Sequence, residues 1–87
     1  MAIVVLFEFP NDAVEKYDEA LRMAPDLLDQ PARPCHVCYE TNGGWGVVDV
    51  WESEEAFAKF GEVLGPVMQK IGLQAEPQIR HVHNIIT

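Results

Sequence analysis

The apolar residues of this chain have the spacing of a strand in some segments and recur every three or four residues, as in a helix, in others. The changes between these spacings mark the predicted elements. Residues 2–9, AIVVLFEF, are rich in β-branched and aromatic side chains, which predicts a first strand. Apolar residues then recur at spacings of three and four over residues 14–24, which predicts one face of a helix. Asp12 and Glu15 stand at the spacing of a capping box, so we expect the helix to begin beside them.

The middle of the chain has the pattern of a loop followed by a hairpin. Residues 25–34 contain three prolines and predict an ordered loop. Residues 35–41 and 45–51 alternate as strands on either side of Asn42-Gly43, a pair that is typical of a two-residue hairpin turn because both positions tolerate positive φ. The spacing therefore predicts two antiparallel strands in direct succession.

A second helix and a last strand complete the pattern. Ser53 is a typical N-cap, and Gly72 is a typical helix end. Gly65-Pro66 predicts a kink or a split between them, because proline cannot donate a helical hydrogen bond. Residues 78–86 read as a final strand. The apolar stripe of this helix consists of Phe57, Phe60, Leu64, Val67, Met68 and Ile71.

The order βαββαβ predicts an α+β fold, a ferredoxin-like plait occupying residues 1–87 as a single domain. In this plait a four-stranded antiparallel sheet carries both helices on one face. The other face is uncovered, and a chain of 87 residues buries only a modest core. We therefore expect a homodimer that forms through the open sheet face.

A two-residue turn also fixes the register of the hairpin. It places His36 opposite Asp49, and directly opposed residues share a face of the sheet. We assign the polar and aromatic set to the open face and the β-branched set to the face beneath the helices. In the last strand we place Val82 and Ile86 toward the helices and His83 on the open face. The set assigned to the open face of the hairpin is His36, Cys38, Glu40, Trp45, Val47, Asp49 and Trp51.

Charge and length exclude several classes of function. The chain carries 6 Lys and Arg against 14 Asp and Glu, a net charge of −8, which lacks the basic footprint of a nucleic-acid binder. No stretch approaches the apolar length of a membrane span, and the first residues do not have the pattern of a signal peptide. We expect a cytoplasmic protein, and the two cysteines fit a reducing compartment.

The predicted register brings together one pair of side chains with catalytic potential. A carboxylate at Asp49 opposite the imidazole of His36 would fix the tautomer of the ring, as general-base chemistry needs. The alternative is a polar cross-strand pair that lines a dimer interface. Trp45 and Trp51 share that face, where they suit either the walls of a flat organic ligand or a dimer core.

Other candidate groups have simpler interpretations. His81 and His83 lie on one face of a strand and would supply two ligands of a metal site, which needs three or four. The alternative is a packed His83 and a solvated His81, and we assign no metal. Cys35 and Cys38 are spaced like a redox or zinc half-site, but a strand directs them to opposite faces, so we interpret them as two thiols.

The segments GGWGVVDVWESEEAFAKF, VLGPVMQKIGL and VHNII resemble the antibiotic biosynthesis monooxygenase-like family of dimeric α+β barrel proteins. The resemblance covers nearly the whole chain and implies two sheets packed back to back, with one pocket per protomer. Members of that superfamily include cofactor-independent oxygenases of polyphenols, haem-degrading enzymes, and isomerases or cyclases. The Asn, His and Trp of the haem-degrading branch have no residue-by-residue match here.

Together, these observations predict a small homodimeric pocket protein that resembles cofactor-independent monooxygenases and accepts an apolar or aromatic small molecule. The alternative is a non-catalytic module for small-molecule binding or dimerisation. If the protein is an enzyme, we expect monooxygenase-like or isomerase/cyclase-like activity without a cofactor. The predicted catalytic residues are His36 as base, Asp49 as its orienting group and His83 as a second polar group. The predicted substrate-binding residues are Trp45, Trp51, Tyr17 and Cys38.

Overall fold

The computed structural model describes residues 1–86 and contains a four-stranded antiparallel sheet with both α-helices on one face. The strands lie in the order β2-β3-β1-β4, so the predicted ferredoxin-like α+β fold is confirmed. Among these residues, no helix is both long enough and apolar enough to cross a bilayer. The elements are β1 (Ile3–Phe9), α1 (Glu15–Met23), a 3₁₀ turn (Pro25–Leu28), β2 (Cys35–Thr41), β3 (Gly44–Trp51), α2 (Glu54–Ile71) and β4 (Gln78–His81).

The hairpin between β2 and β3 has the predicted register. Thr41 pairs with Gly44, and counting outward from the turn brings His36 opposite Asp49. The turn itself differs from the expected type, because Gly43 has a φ of 94° whereas Asn42 does not adopt positive φ. That combination is typical of a type II turn, in which only the second central residue needs the left-handed region. The loop length alone therefore fixes the register.

The two faces of this hairpin are the reverse of the prediction. Trp51 is 1% exposed, and its ring centroid lies 4.8 Å from that of Phe60 on α2. Trp45 is also buried and contacts the ring of Tyr17 on α1. The polar and aromatic set, with His36 and Asp49, therefore lies beneath the helices and not on the open face.

These polar and aromatic side chains can be buried because they form hydrogen bonds and pack against one another. Asp49 is only 3% exposed, but it binds His36, and a paired polar group can be buried without a large penalty. Large aromatic rings fill the space between the sheet and the helices. The opposite face, which we call the open face, presents small and medium apolar side chains, among them Val4, Leu6, Val37, Val48 and Val50.

The first helix begins differently from the prediction. Its N-cap is Val14, which provides no side-chain cap, and Asp12 instead accepts a hydrogen bond from the Nζ group of Lys16 at 2.9 Å. The capping-box prediction is wrong because Asp12 lies too early in the chain to reach the first turn of a helix that starts at Glu15. The helix ends at Ala24 as expected.

The second helix has both predicted ends. The Oγ of Ser53 accepts a hydrogen bond from the Ala56 amide at 3.1 Å, and Gly72 closes the helix with a φ of 77°. The helix is continuous through Pro66, so the prediction of a split is wrong. Pro66 and Glu62, the residue four positions earlier whose carbonyl loses its partner, are both exposed, so water can replace the missing bond.

The last strand is shorter than predicted, because β4 ends at His81. His81 pairs with Ile3, the first residue of β1, and beyond it Val82 donates one further bond to the Ala2 carbonyl at 3.1 Å. His81 therefore lies on the same, helix-side face of the sheet as the buried Ile3. Because successive side chains point to opposite faces, Val82 points to the other face, and the prediction that it lies toward the helices is wrong. Ile86, which we also placed there, is 90% exposed.

Candidate active site

A cavity lies between the sheet and the two helices, and we call it the central cavity. Its floor is formed by β1 and β3, and its walls by α1, α2 and the 3₁₀ turn. About 70 Å³ of it is open to the centre of a water molecule. The lining is mostly apolar, with a few polar groups on one side, as is typical of small-molecule sites. The side chains with polar atoms are Tyr17, Arg33, His36, Trp45 and Asp49.

Three of these side chains form a hydrogen-bonded chain across three elements. His36 on β2 contacts Oδ1 of Asp49 on β3 through Nδ1 at 2.5 Å. The Nε2 of the same ring lies 2.7 Å from the hydroxyl of Tyr17 on α1. The rings of Tyr17 and His36 are also stacked, with 5.8 Å between their centroids and 13° between their planes. We call this arrangement the Asp49–His36–Tyr17 chain.

When the imidazole is neutral, its two hydrogen-bond partners determine which ring nitrogen carries the hydrogen. The carboxylate of Asp49 can only accept, so Nδ1 of His36 donates to it. Nε2 then carries a lone pair and accepts from the Tyr17 hydroxyl. Burial raises the pKa of the Tyr17 phenol, and the negative charge of Asp49 adds to this effect, while the Arg33 guanidinium opposes it. Tyr17 is therefore a proton donor at neutral pH.

Trp45 lines the central cavity, although it lies on the face of the sheet opposite to the one predicted. Its ring stacks on Phe9 with 4.3 Å between centroids and meets the edge of Tyr17 at 5.7 Å. The indole nitrogen Nε1 is buried and has no hydrogen-bond partner within residues 1–86. A buried donor without a partner carries a desolvation cost that an acceptor on a ligand would remove.

Three of the predicted site residues do not line the central cavity. Trp51 packs in the core and borders a separate, shallower groove beside Pro31 and Ser53. Cys38 packs against the edge of the core, and burial raises the pKa of its thiol, so it is held as a neutral group. His83 lies beyond the end of β4 and is exposed. The prediction that His83 lies beside His36 as a second polar group is therefore corrected, because the hydroxyl of Tyr17 is the group that bonds to His36 Nε2.

The histidines near the end of the chain do not assemble a metal site. Nε2 of His81 lies 3.8 Å from Oε1 of Glu54, and both side chains are largely exposed. Across residues 1–86, no three His, Cys, Asp or Glu side chains come together in a geometry that could hold a metal ion.

Arg33 is a cavity residue that the sequence did not indicate. It follows the 3₁₀ turn in the proline-containing loop, where no periodicity shows which way a side chain points. Its Nη2 donates to the Leu27 carbonyl at 3.0 Å and to the Leu28 carbonyl at 3.4 Å. An arginine flanked by prolines was a weak signal, because the same composition is typical of solvent-exposed loops.

The arrangement supports proton abstraction from a bound ligand. A buried carboxylate holds one nitrogen of an imidazole, and the other nitrogen carries a lone pair toward a phenol in the cavity. A ligand hydroxyl that displaced Tyr17, or that bonded to it, would lie within hydrogen-bond reach of this base, as general-base catalysis requires.

Comparison with solved structures identifies the fold. The chain is similar to SnoaB, a cofactor-independent oxygenase from Streptomyces nogalater, with a TM-score of 0.68 and 15% identity over 98% of this chain and 95% of that chain. It is also similar to a candidate monooxygenase from Shewanella loihica PV-4, with a TM-score of 0.63 and 20% identity over 97% and 96% of the two chains. The protein has the antibiotic biosynthesis monooxygenase-like fold.

A third structure with this antibiotic biosynthesis monooxygenase-like fold comes from Deinococcus radiodurans. It has a TM-score of 0.64 and 9% identity over 100% of this chain and 97% of that chain. No protein-family model matches the sequence. No curated protein matches it either. Identities of this size establish a common fold, whereas the chemistry must be argued from the side chains in the central cavity.

Proposed function

We propose that this protein binds an acidic aromatic small molecule in the central cavity and removes a proton from it with His36, as a cofactor-independent monooxygenase-like enzyme. The observation that carries the proposal is the Asp49–His36–Tyr17 chain on the wall of an apolar cavity. Asp49 would orient the imidazole, His36 would accept the proton, and Tyr17 would hold or relay it. The monooxygenase-like fold is consistent with this chemistry, and the side chains supply the argument.

The oxidant in this proposal is dioxygen. A substrate with an activated CH₂ group on a phenolic ring system loses a proton to His36 and becomes an electron-rich anion. The anion transfers electrons to dioxygen, and one oxygen atom becomes a ring carbonyl while the other leaves as water with the two hydrogens of the CH₂ group. The protein would supply a base and a cavity shielded from water, without an organic or metal cofactor.

Trp45 would position the ring of the ligand. It forms the aromatic end of the cavity beside Tyr17, and its indole N–H has no partner within residues 1–86. A carbonyl or hydroxyl on the ligand would supply the missing acceptor.

The small volume of the central cavity limits which ligands can bind without movement of its side chains. The water-accessible part of the central cavity is smaller than the roughly 300–1,000 Å³ of typical ligand sites. Leu28 lines the cavity and is 55% exposed, and Met68, a flexible side chain, lines it from α2. A fused ring system would therefore enter by displacing these two side chains.

The open face supports a second part of the proposal, a homodimer. It carries a continuous set of apolar side chains on β1, β2 and β3, and Val37 is 49% exposed. A flat face of this composition suits a second copy of the same sheet, which would bury it. Sedimentation analysis tests this proposal, and a monomer at micromolar concentration would contradict it.

The alternative function is a non-catalytic binding module on the same fold. A cavity that stays closed to rings would favour this alternative, because the open face would then be the remaining surface for binding.

The test compares two histidine variants. Oxygen consumption is measured with a panel of polyphenolic substrates for the wild type, His36→Ala and the control His81→Ala, whose histidine lies outside the cavity. We expect His36→Ala to lose roughly 10²- to 10⁴-fold in turnover, the usual contribution of a positioned base, with His81→Ala unchanged. Equal turnover in His36→Ala would remove His36 from the mechanism, and turnover of no substrate by the wild type would favour the binding module.

A further inference from the structure

Arg33 is held in a fixed position at the side of the central cavity. Its guanidinium carbon lies 5.6 Å from the centre of the Trp51 ring and 5.5 Å from that of Phe60. Its Nη2 donates to the carbonyls of Leu27 and Leu28 in the 3₁₀ turn. Two aromatic rings and two carbonyls therefore fix the planar group, which favours specific binding over a mobile surface contact.

The positive charge of Arg33 has no carboxylate partner in the described part of the chain. In the described part of the chain, Lys16 and Lys59 each lie within 4.0 Å of a carboxylate, whereas Arg22, Lys70 and Arg80 are also unpaired but are exposed on the surface. Arg33 is half-buried, and it is the one Lys or Arg among the described residues that line the cavity. Its Nε and Nη1 donors make no hydrogen bond within residues 1–86.

The charge of Arg33 reaches the catalytic groups across the cavity. It favours the ionised form of Tyr17, which opposes the effect of burial on the pKa of that phenol. Asp49 bonds to His36 and forms no salt bridge with Arg33 within residues 1–86. An oxygen anion on a ligand next to Tyr17 would therefore lie in the field of an unpaired guanidinium.

We propose that Arg33 is an anion-binding residue, and that the central cavity selects aromatic ligands whose ring bears an oxygen anion, either a carboxylate or an ionised phenol, over neutral rings of the same shape. The proposal rests on the proposed function in placing an aromatic ligand in this cavity, but it does not require proton abstraction. Where His36 does remove a proton, the same guanidinium would stabilise the resulting phenolate. A charge-assisted pair with arginine is stronger than a neutral hydrogen bond, so the preference for the anion is expected to be large.

The first experiment measures equilibrium binding of a matched pair of probes, 2-naphthoate and 2-naphthamide, by calorimetry or tryptophan fluorescence. The wild type is expected to bind the naphthoate roughly tenfold or more tightly than the amide. Arg33→Met keeps the apolar stem and should remove the preference. The control Arg80→Gln should keep it, because Arg80 is exposed on β4 and bonds only to the Ile79 carbonyl.

If Arg33→Met does not fold, a measurement on the wild type can still test the proposal. The side-chain Nε–H signal of Arg33 in a nitrogen-correlated NMR spectrum should shift when 2-naphthoate is added, whereas that of Arg80 should not. A bound naphthoate that leaves the Arg33 signal unmoved would overturn the proposal. So would equal affinity for the two probes, or an undiminished preference in a folded Arg33→Met variant.

Further measurements identify which type of anion the site binds, and they test the Arg33 site separately from the enzymatic proposal. A gain in affinity for 2-naphthol above the pKa of the free ligand would show that a phenolate serves as well as a carboxylate, and no gain would restrict the site to carboxylates. Binding of naphthoate needs no base. An anion preference without any turnover would therefore refute the enzymatic proposal and support the Arg33 site. If the wild type binds neither probe, the Arg33 site is refuted, while oxygen consumption still decides the role of His36.

Discussion

The hydroxyl of Tyr17 lies 2.7 Å from Nε2 of His36, and the two rings are stacked. The lone pair that would act as a base is therefore occupied by a phenol of the protein itself. In the proposed reaction, the acidic group of the substrate would have to displace Tyr17 or pass its proton through the phenol. This relationship makes α1 part of the proposed catalytic arrangement, although the carboxylate and the imidazole both belong to the hairpin.

Asp49→Asn should switch the tautomer of His36. The amide of asparagine can donate to Nδ1, which moves the ring proton to Nε2 and removes the lone pair that faces the cavity. We expect turnover to fall by roughly 10²-fold or more, with the fold retained. Nitrogen chemical shifts of the imidazole should show the exchange of the protonated and unprotonated positions. An unchanged tautomer together with lost activity would contradict this explanation.

Tyr17 should make the protein less stable in alkali. Its pKa is raised by burial in the folded state, so the unfolded chain loses the proton first as the pH passes about 10. The stabilisation is complete below that pH and is lost as the pH rises through the folded pKa. Urea unfolding of Tyr17→Phe should show a weaker loss of stability over this range than the wild type.

Tyr39 requires a control for that experiment, because burial also raises its pKa. Tyr39→Phe leaves Tyr17 as the one tyrosine in the chain, so its phenolate absorbance reports Tyr17 alone. A midpoint at or below the ordinary tyrosine value in that variant would contradict the prediction.

Substitutions at Trp51 and at Leu28 should differ in their effect on stability, because Trp51 lies in the core and Leu28 lies at the exposed edge of the cavity. Trp51 is 1% exposed, so Trp51→Ala is expected to cost about 3–5 kcal/mol of unfolding free energy. Leu28 is 55% exposed, and Leu28→Ala should cost no more than about 0.5 kcal/mol while widening the entrance for an aromatic probe. Urea unfolding and probe binding measure the two effects. Equal costs for the two variants would contradict the assignment of Trp51 to the core.

Val48 should govern association through the open face. It lies on the central strand β3 on the face away from the helices, so Val48→Lys places a charge in the middle of the proposed interface. We expect the variant to sediment as a folded monomer and the wild type as a dimer. Val63→Lys is the control, because Val63 is 50% exposed on α2 and lies away from this face. A dimer in both variants would place the interface elsewhere.

The hairpin shows which features of the fold and site could be predicted from the sequence and which could not. The Asn42-Gly43 spacing predicted the register, and with it the pairing of His36 and Asp49. Alternation separates two faces but does not say which is buried. The decisive signal lay in β1, where Phe7 and Phe9 share one face and Glu8 occupies the other. The phenylalanines need the core, and pairing with β3 places Trp45 beside Phe9 on the same side.

The remaining differences have local causes. The alternation of residues 78–86 is typical of a strand, but β1 begins at Ile3, the partner of His81, and the last bond of this pairing joins Val82 to the Ala2 carbonyl. This is why the prediction carried His83 into a site that it does not reach. Arg33 could not be predicted because the direction of a side chain in an irregular loop depends on tertiary contacts, here with Trp51, Phe60 and the 3₁₀ turn.

The position of β2 at the edge of the sheet has a consequence for the lifetime of the site. His36 lies on this outer strand, while Asp49 lies on β3, which is held on both sides. Separation of β2 from β3 would dismantle the Asp49–His36–Tyr17 chain while the pairing of β1 with β3 persisted. Amide protons of β2 should then exchange with solvent faster than those of β1, so the proposed catalytic arrangement would open and re-form many times within the life of one folded molecule.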